Sequence, residues 1–92
     1  MNLIPSAFTE RGFSHREIER NGEWRIFERK GQGSAHFEVV RITERPARVV
    51  FGNQVAATEV YPPSESWGID GFTLNSLDSA RRKLEIVAGQ PK

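Results

Sequence analysis

Apolar and polar residues alternate through the first two thirds of the chain, and a helical period takes over near the end. Phe13 to Lys30 holds two strand-like runs around Asn21-Gly22, the strongest short-range hairpin signal a sequence offers. An ordinary two-residue Asn-Gly loop sets Ile18 against Arg25 and Glu19 against Trp24, which mixes apolar and charged groups on both faces. A bulged turn with Gly22 at positive φ gathers Ile18, Trp24 and Ile26 on one face. Glu17, Glu19, Arg25 and Arg29 then share the other. A one-residue slip inverts every side chain, so the face argument favours the bulge.

His36–Thr43 reads as a third strand. Its Val39-Val40 pair points apolar groups both ways, as in a central strand or one half-covered on its second face. Glu44–Ala47 turns the chain, and Pro46 lacks the amide donor a central strand needs. Arg48–Phe51 and Gln54–Tyr61 follow, separated by Gly52-Asn53, which is a turn or a bulge. Upstream, Leu3, Ile4 and Phe8 mark an edge piece, with Ser6 capping one short turn that ends at Gly12. A helix is signalled by Asn75 or Ser76 as cap and Asp78 in the first turn. Leu77, Ala80, Leu84, Val87 and Ala88 form its apolar face, with Arg82 and Lys83 opposite and Ile86 off the face. Gly89 ends the helix and Pro91 prevents its resumption. The expectation is one α+β domain over residues 1–92: an antiparallel four- to five-stranded sheet with the C-terminal helix packed on a face.

Composition narrows this picture. With 92 residues and no cysteine, burial alone must hold the fold, without disulfide or thiolate–zinc staples. No signal-like opening and no run of membrane-spanning length is present, which points to a cytoplasmic protein. Charge is uneven: Val49 to Ala80 contains four carboxylates and no Lys or Arg, although the chain carries 13 such cations. Within that stretch Tyr61–Phe72 is rich in aromatic, proline and glycine residues. A long, stiff, acidic loop suits partner binding at low ordering cost. Tyr61, Glu65, Trp67, Asp70 and Phe72 are its candidate contacts, for a protein with a basic surface. Against this stands a structural role, in which Trp67 and Phe72 fold back to close the core edge.

Catalytic patterns are missing members. His15 and His36 face one another only if their strands are adjacent, and no third ligand is marked, so no metal site is expected. Gly-x-Ser-x-Gly is absent, the glycines open no helix, and Glu65 and Asp70 are two loop carboxylates without a sign of convergence. The reading is a non-enzymatic protein-binding module with no cofactor. The alternative is nucleic-acid binding through Arg25, Arg29, Arg41, Arg82 and Lys83, with aromatics interleaved. Glu17, Glu19, Glu23 and Glu28 are spaced to neutralise arginines of the same hairpin. A small-ligand pocket lined by Trp67 is a third possibility.

Trp67-Gly68-x-x-Gly71, followed by Ser76-Leu-Asp-Ser-Ala80 and Lys83-Leu84, is similar to the end of a WGR domain, a small antiparallel sheet with a helix. That resemblance covers about a quarter of the chain and implies assistance to DNA-end or RNA recognition. Ile69 stands where the family has arginine. The pattern His36-Phe-Glu-Val-Val-x-Ile, Tyr61-Pro-Pro-Ser-Glu-x-Trp-Gly and Gly71-Phe-Thr resembles small uncharacterised proteins of bacteria and their phages. It implies a small protein of a mobile element, of the kind that acts as an inhibitor by occluding a host machine such as a defence system.

Overall fold

A computed structural model of the chain describes residues 1–90. In chain order its strands are β1 (Ala7–Glu10), β2 (Phe13–Asn21), β3 (Trp24–Gly31), β4 (Ser34–Arg41) and β5 (Thr43–Arg45). Next come β6 (Arg48–Val50), β7 (Asn53–Val55), β8 (Thr58–Val60) and β9 (Gly71–Leu74), then helix α1 (Leu77–Ala88). Strands β1-β2-β3-β4-β9 form a five-stranded antiparallel sheet with α1 on one face, the α+β architecture that the periodicities predict.

Around the first hairpin the apolar residues share a face as expected, but the bulge lies elsewhere. Asn21 pairs with Trp24, Gly22 has φ +63, and the irregularity falls between Glu17 and Glu19. Ile18 is therefore the extra residue. A mid-strand bulge flips the register as a bulged turn does, and it leaves the turn tight. Ile18, Trp24 and Ile26 pack together on the helix side. Glu19 differs from expectation: the bulge carries it to that same side, where it bonds Arg81.

The N-terminal segment is a strand rather than a capped turn. Phe8 pairs with His15 across β1 and β2, and Arg11-Gly12 makes the turn with φ +52 and +80. The Ser6 carbonyl accepts from the Glu17 amide, so pairing, not helical capping, uses its backbone. At the other end Ser76 is the helix cap, its Oγ accepting from the Ser79 amide at 3.1 Å. Ala80, Leu84 and Val87 are buried against Ile26 and Val39, with Leu77 packed beside them. Lys83 does not stand opposite: its Nζ lies 4.0 Å over the Phe72 ring, because its long stem reaches back to the sheet. Pro91 lies outside the described residues.

The second face of the sheet is covered too. Phe27, Val40 and Ile42 are buried there beneath Ile4, Phe8, Tyr61 and Trp67. This explains the paired valines, since Val39 serves one core and Val40 the other. Between β4 and β9 the chain makes a two-part hairpin arm. Strand β5 pairs with β8 at its base and β6 with β7 at its end, and Pro46-Ala47 interrupts the ladder. The Gly52-Asn53 question resolves as a turn one residue earlier: Val50 pairs with Asn53 around Phe51-Gly52. Among the described residues no helix is long and apolar enough to cross a membrane.

Candidate functional site

The Tyr61–Phe72 loop turns its aromatics inward. Pro62 is buried, Ser64–Ser66 make one 3₁₀ turn, and Tyr61 stacks beside Trp67 with ring centroids 6.5 Å apart. The Trp67 indole Nε1–H donates to Thr73 Oγ1 at 3.0 Å. Its ring lies where a side chain on Gly71 would be, since a Cβ there would come within 2.5 Å of it. Phe72 belongs to the opposite core, stacked near Trp24 and beneath Lys83. Asp70 meets the Arg41 guanidinium at 2.6 Å, and its carbonyl accepts from the Arg41 amide. The loop's charge is thus partly neutralised from β4, outside the cation-free stretch. Glu65 alone of the five candidate residues is exposed.

Beneath this loop lies a buried polar cluster that sequence reading did not assemble. Glu38 on β4 is 4% exposed. One of its oxygens accepts from the Tyr61 hydroxyl at 2.5 Å and the other from Arg29 Nη1 at 3.2 Å. His15 Nε2 stands 3.6 Å from the same carboxylate, and Phe8 stacks on the imidazole with centroids 4.5 Å apart. Burial first, then the Glu38 charge and its hydrogen bond, push the Tyr61 phenol pKa well above the ordinary value. The signal for this cluster was present in the alternation: Glu38 shares its face with Val40 and Ile42, and a carboxylate there must be buried and paired. The cluster forms the floor of a cleft of about 420 Å³ that crosses the sheet from Arg11 and Phe13 to Trp67 and Thr73.

The arginines of the nucleic-acid alternative are largely committed to internal partners. Arg25 is 5% exposed and bonds Glu59 at 2.6 Å, with Glu17 at 3.6 Å. Burial disfavours the ionised form of Glu59, but the bonds from Arg25 and the Ile4 amide, with the charges of Arg25 and Arg20, outweigh it and lower its pKa. Arg29 holds Glu38 and lies 4.4 Å over the Phe13 ring, and Arg41 holds Asp70. Arg82 is exposed on the helix. The two histidines do not face one another, because β3 runs between their strands and Arg29 pairs with both positions. Among the described residues no group of three or more His, Asp or Glu is placed to hold a metal ion.

The arm supplies the surface that sequence reading missed. Phe51 is 99% exposed at its tip and has φ +50, in the left-handed region that an aromatic residue seldom occupies. Val49 beside it is 66% exposed. Arg45 and Arg48 are exposed along the arm, and no carboxylate occurs between Arg45 and Thr58. The available signal was Phe-Gly at a turn position, hidden because Arg48-Val-Val-Phe51 reads as uninterrupted strand. No family model, no curated protein and no solved structure matches this chain.

Proposed function

We propose that this protein is a non-enzymatic protein-binding module whose principal contact is the tip of the arm, Phe51 with Val49, with Arg48 on the same end hairpin and Arg45 nearer the base. The observation that carries the reading is Phe51 itself. A non-glycine residue in the left-handed region costs roughly 1–2 kcal/mol. An exposed phenylalanine also forgoes the ~1.5–3 kcal/mol that its burial provides. Both costs fall on one residue that stands almost wholly in water, and a partner that buries the ring recovers the second of them. Aromatic and arginine side chains on a protruding arm are the residue types that dominate binding energy at protein interfaces.

The chemistry of the partner follows from the arm: an apolar pocket for the ring, with carboxylates around it for Arg45 and Arg48. Two arginines offer few phosphate contacts, and each contact adds only about 0.9 to the salt slope of DNA binding, which favours protein over nucleic acid. The basic-surfaced partner expected from the acidic loop has less support, because Asp70 is paired with Arg41. Both oxygens of the buried Glu38 are occupied, which also favours binding over acid–base chemistry. An inhibitor that occludes a larger host assembly is one form such a module takes, and the identity of the partner decides it.

Site-specific photo-cross-linking tests the reading. Benzoylphenylalanine is placed at position 51, and at Ile86 on the helix, also exposed, as a control. The expected result is a discrete protein adduct from position 51, resistant to nuclease, absent from position 86 and lost on Arg45→Glu with Arg48→Glu. An adduct removed by nuclease, or none at position 51, overturns it.

A further inference from the structure

We infer that the cleft over the second sheet face is a binding site for a small, neutral, planar heterocycle of nucleobase or nucleoside size. It holds about 420 Å³, as other clefts of the molecule do, and is set apart by aromatic groups at both ends. Both aromatics rest on glycines. Phe13 occupies the space above Gly31, where a Cβ would come within 2.2 Å of the ring, and Trp67 does the same above Gly71. Any side chain at either glycine would displace its ring: Gly31 meets the Cδ1–Cε1 edge of Phe13, and Gly71 the six-membered ring of Trp67. The Arg29 guanidinium, lying over Phe13, extends one of these rings as a second planar group on which a heterocycle can stack.

Polar groups of the cleft point the same way. His15 Nδ1 and Arg29 Nε, both on residues that line it, are buried without a hydrogen-bond partner. More than nine in ten buried polar groups in folded proteins are paired; here Arg29 Nε lacks an acceptor and His15 Nδ1 an acceptor or a donor according to tautomer, while Arg25, Arg41 and Asp70 hold such atoms at other clefts. Ring nitrogens and carbonyls of a heterocycle provide such acceptors, and Ser64 and Thr73 add hydroxyls at the rim. Charge decides against an anionic ligand. The lining contains two carboxylates, Glu10 and Glu38, against two guanidinium groups, Arg11 and Arg29, so it has no net field for a phosphate. Arg29 is already bonded to Glu38.

Titration of the full chain with adenosine, followed by the indole N–H resonances of its two tryptophans, tests the site. Trp24 lies on the helix side of the sheet and serves as the internal control. Expected are a saturable shift of the Trp67 resonance at micromolar to millimolar adenosine and little change at Trp24. Phe13→Leu keeps an apolar group over Gly31 and should weaken binding about tenfold, the loss of one stacking surface. Adenosine monophosphate should bind no more tightly than adenosine, and a single-stranded oligonucleotide no more tightly per base. No shift at Trp67, an equal shift at Trp24, or a Phe13→Leu variant that is folded and binds normally overturns the proposal. So does a marked gain from the phosphate. If only the oligonucleotide binds, the free heterocycle is refuted. Phe51→Asn should leave this titration unchanged, which separates its outcome from that of the arm.

Discussion

Tyr61 is the chain's only tyrosine, so its ionisation can be followed without ambiguity. Burial, the neighbouring Glu38 charge and the hydrogen bond to it raise its pKa in the folded state above the ordinary 10.0. The raised value means that the folded protein retains the proton. The contribution to stability is complete below the ordinary tyrosine value and is lost as pH rises through the higher folded one. An alkaline titration should therefore show no tyrosinate absorbance until the protein unfolds, with both signals changing together. A tyrosinate transition at about pH 10 in a chain with native circular dichroism would contradict the buried Tyr61–Glu38 pair. At this scale the sequence was least legible. Tyr61 and Trp67 were recognised as large side chains in a distinctive loop, but their direction depends on Pro62 in the loop and on Gly71 and Thr73 of β9. His15, Arg29 and Glu38 come from three strands, so the alternation that marks Glu38 for burial does not name its partners.

Elements were more legible, because each is specified by a period. Helix α1 begins at its serine cap and buries the face that the spacing marks. Leu84 is 5% exposed, and Leu84→Ala should cost on the order of 2–5 kcal/mol, whereas Ile86→Ala should stay within about 0.5 kcal/mol. Thermal or denaturant unfolding of the two variants checks this. Equal losses would mean that the helix is docked by another face. The first hairpin shows how far such reasoning extends. Burial of Ile18, Trp24 and Ile26 together placed the apolar residues correctly but Glu19 on the wrong face, because it did not say whether turn or strand absorbs the extra residue. Both solutions satisfy the same apolar pattern, and tight Gly22 geometry favours the strand. The arm was the harder element, since β5 to β8 are three residues each and their pairing is interrupted by Pro46-Ala47.

As a whole the molecule extends 46 × 35 × 22 Å, with a sheet covered on both faces and an arm between its last two strands. Covering both faces puts most large apolar groups to use in the two cores, which makes an aromatic left fully in water conspicuous. Its left-handed backbone also separates function from stability. Asn is far better tolerated there, and Asn-Gly is the preferred pair for such a turn. Phe51→Asn should thus hold or raise the thermal midpoint while removing the ring that the partner buries. The deciding measurement is the affinity of Phe51→Asn for the protein cross-linked from position 51. A loss of roughly 30-fold or more is predicted, the size of an interface hot spot, in a variant at least as stable as the parent. Undiminished affinity would show that the arm tip is not the working surface.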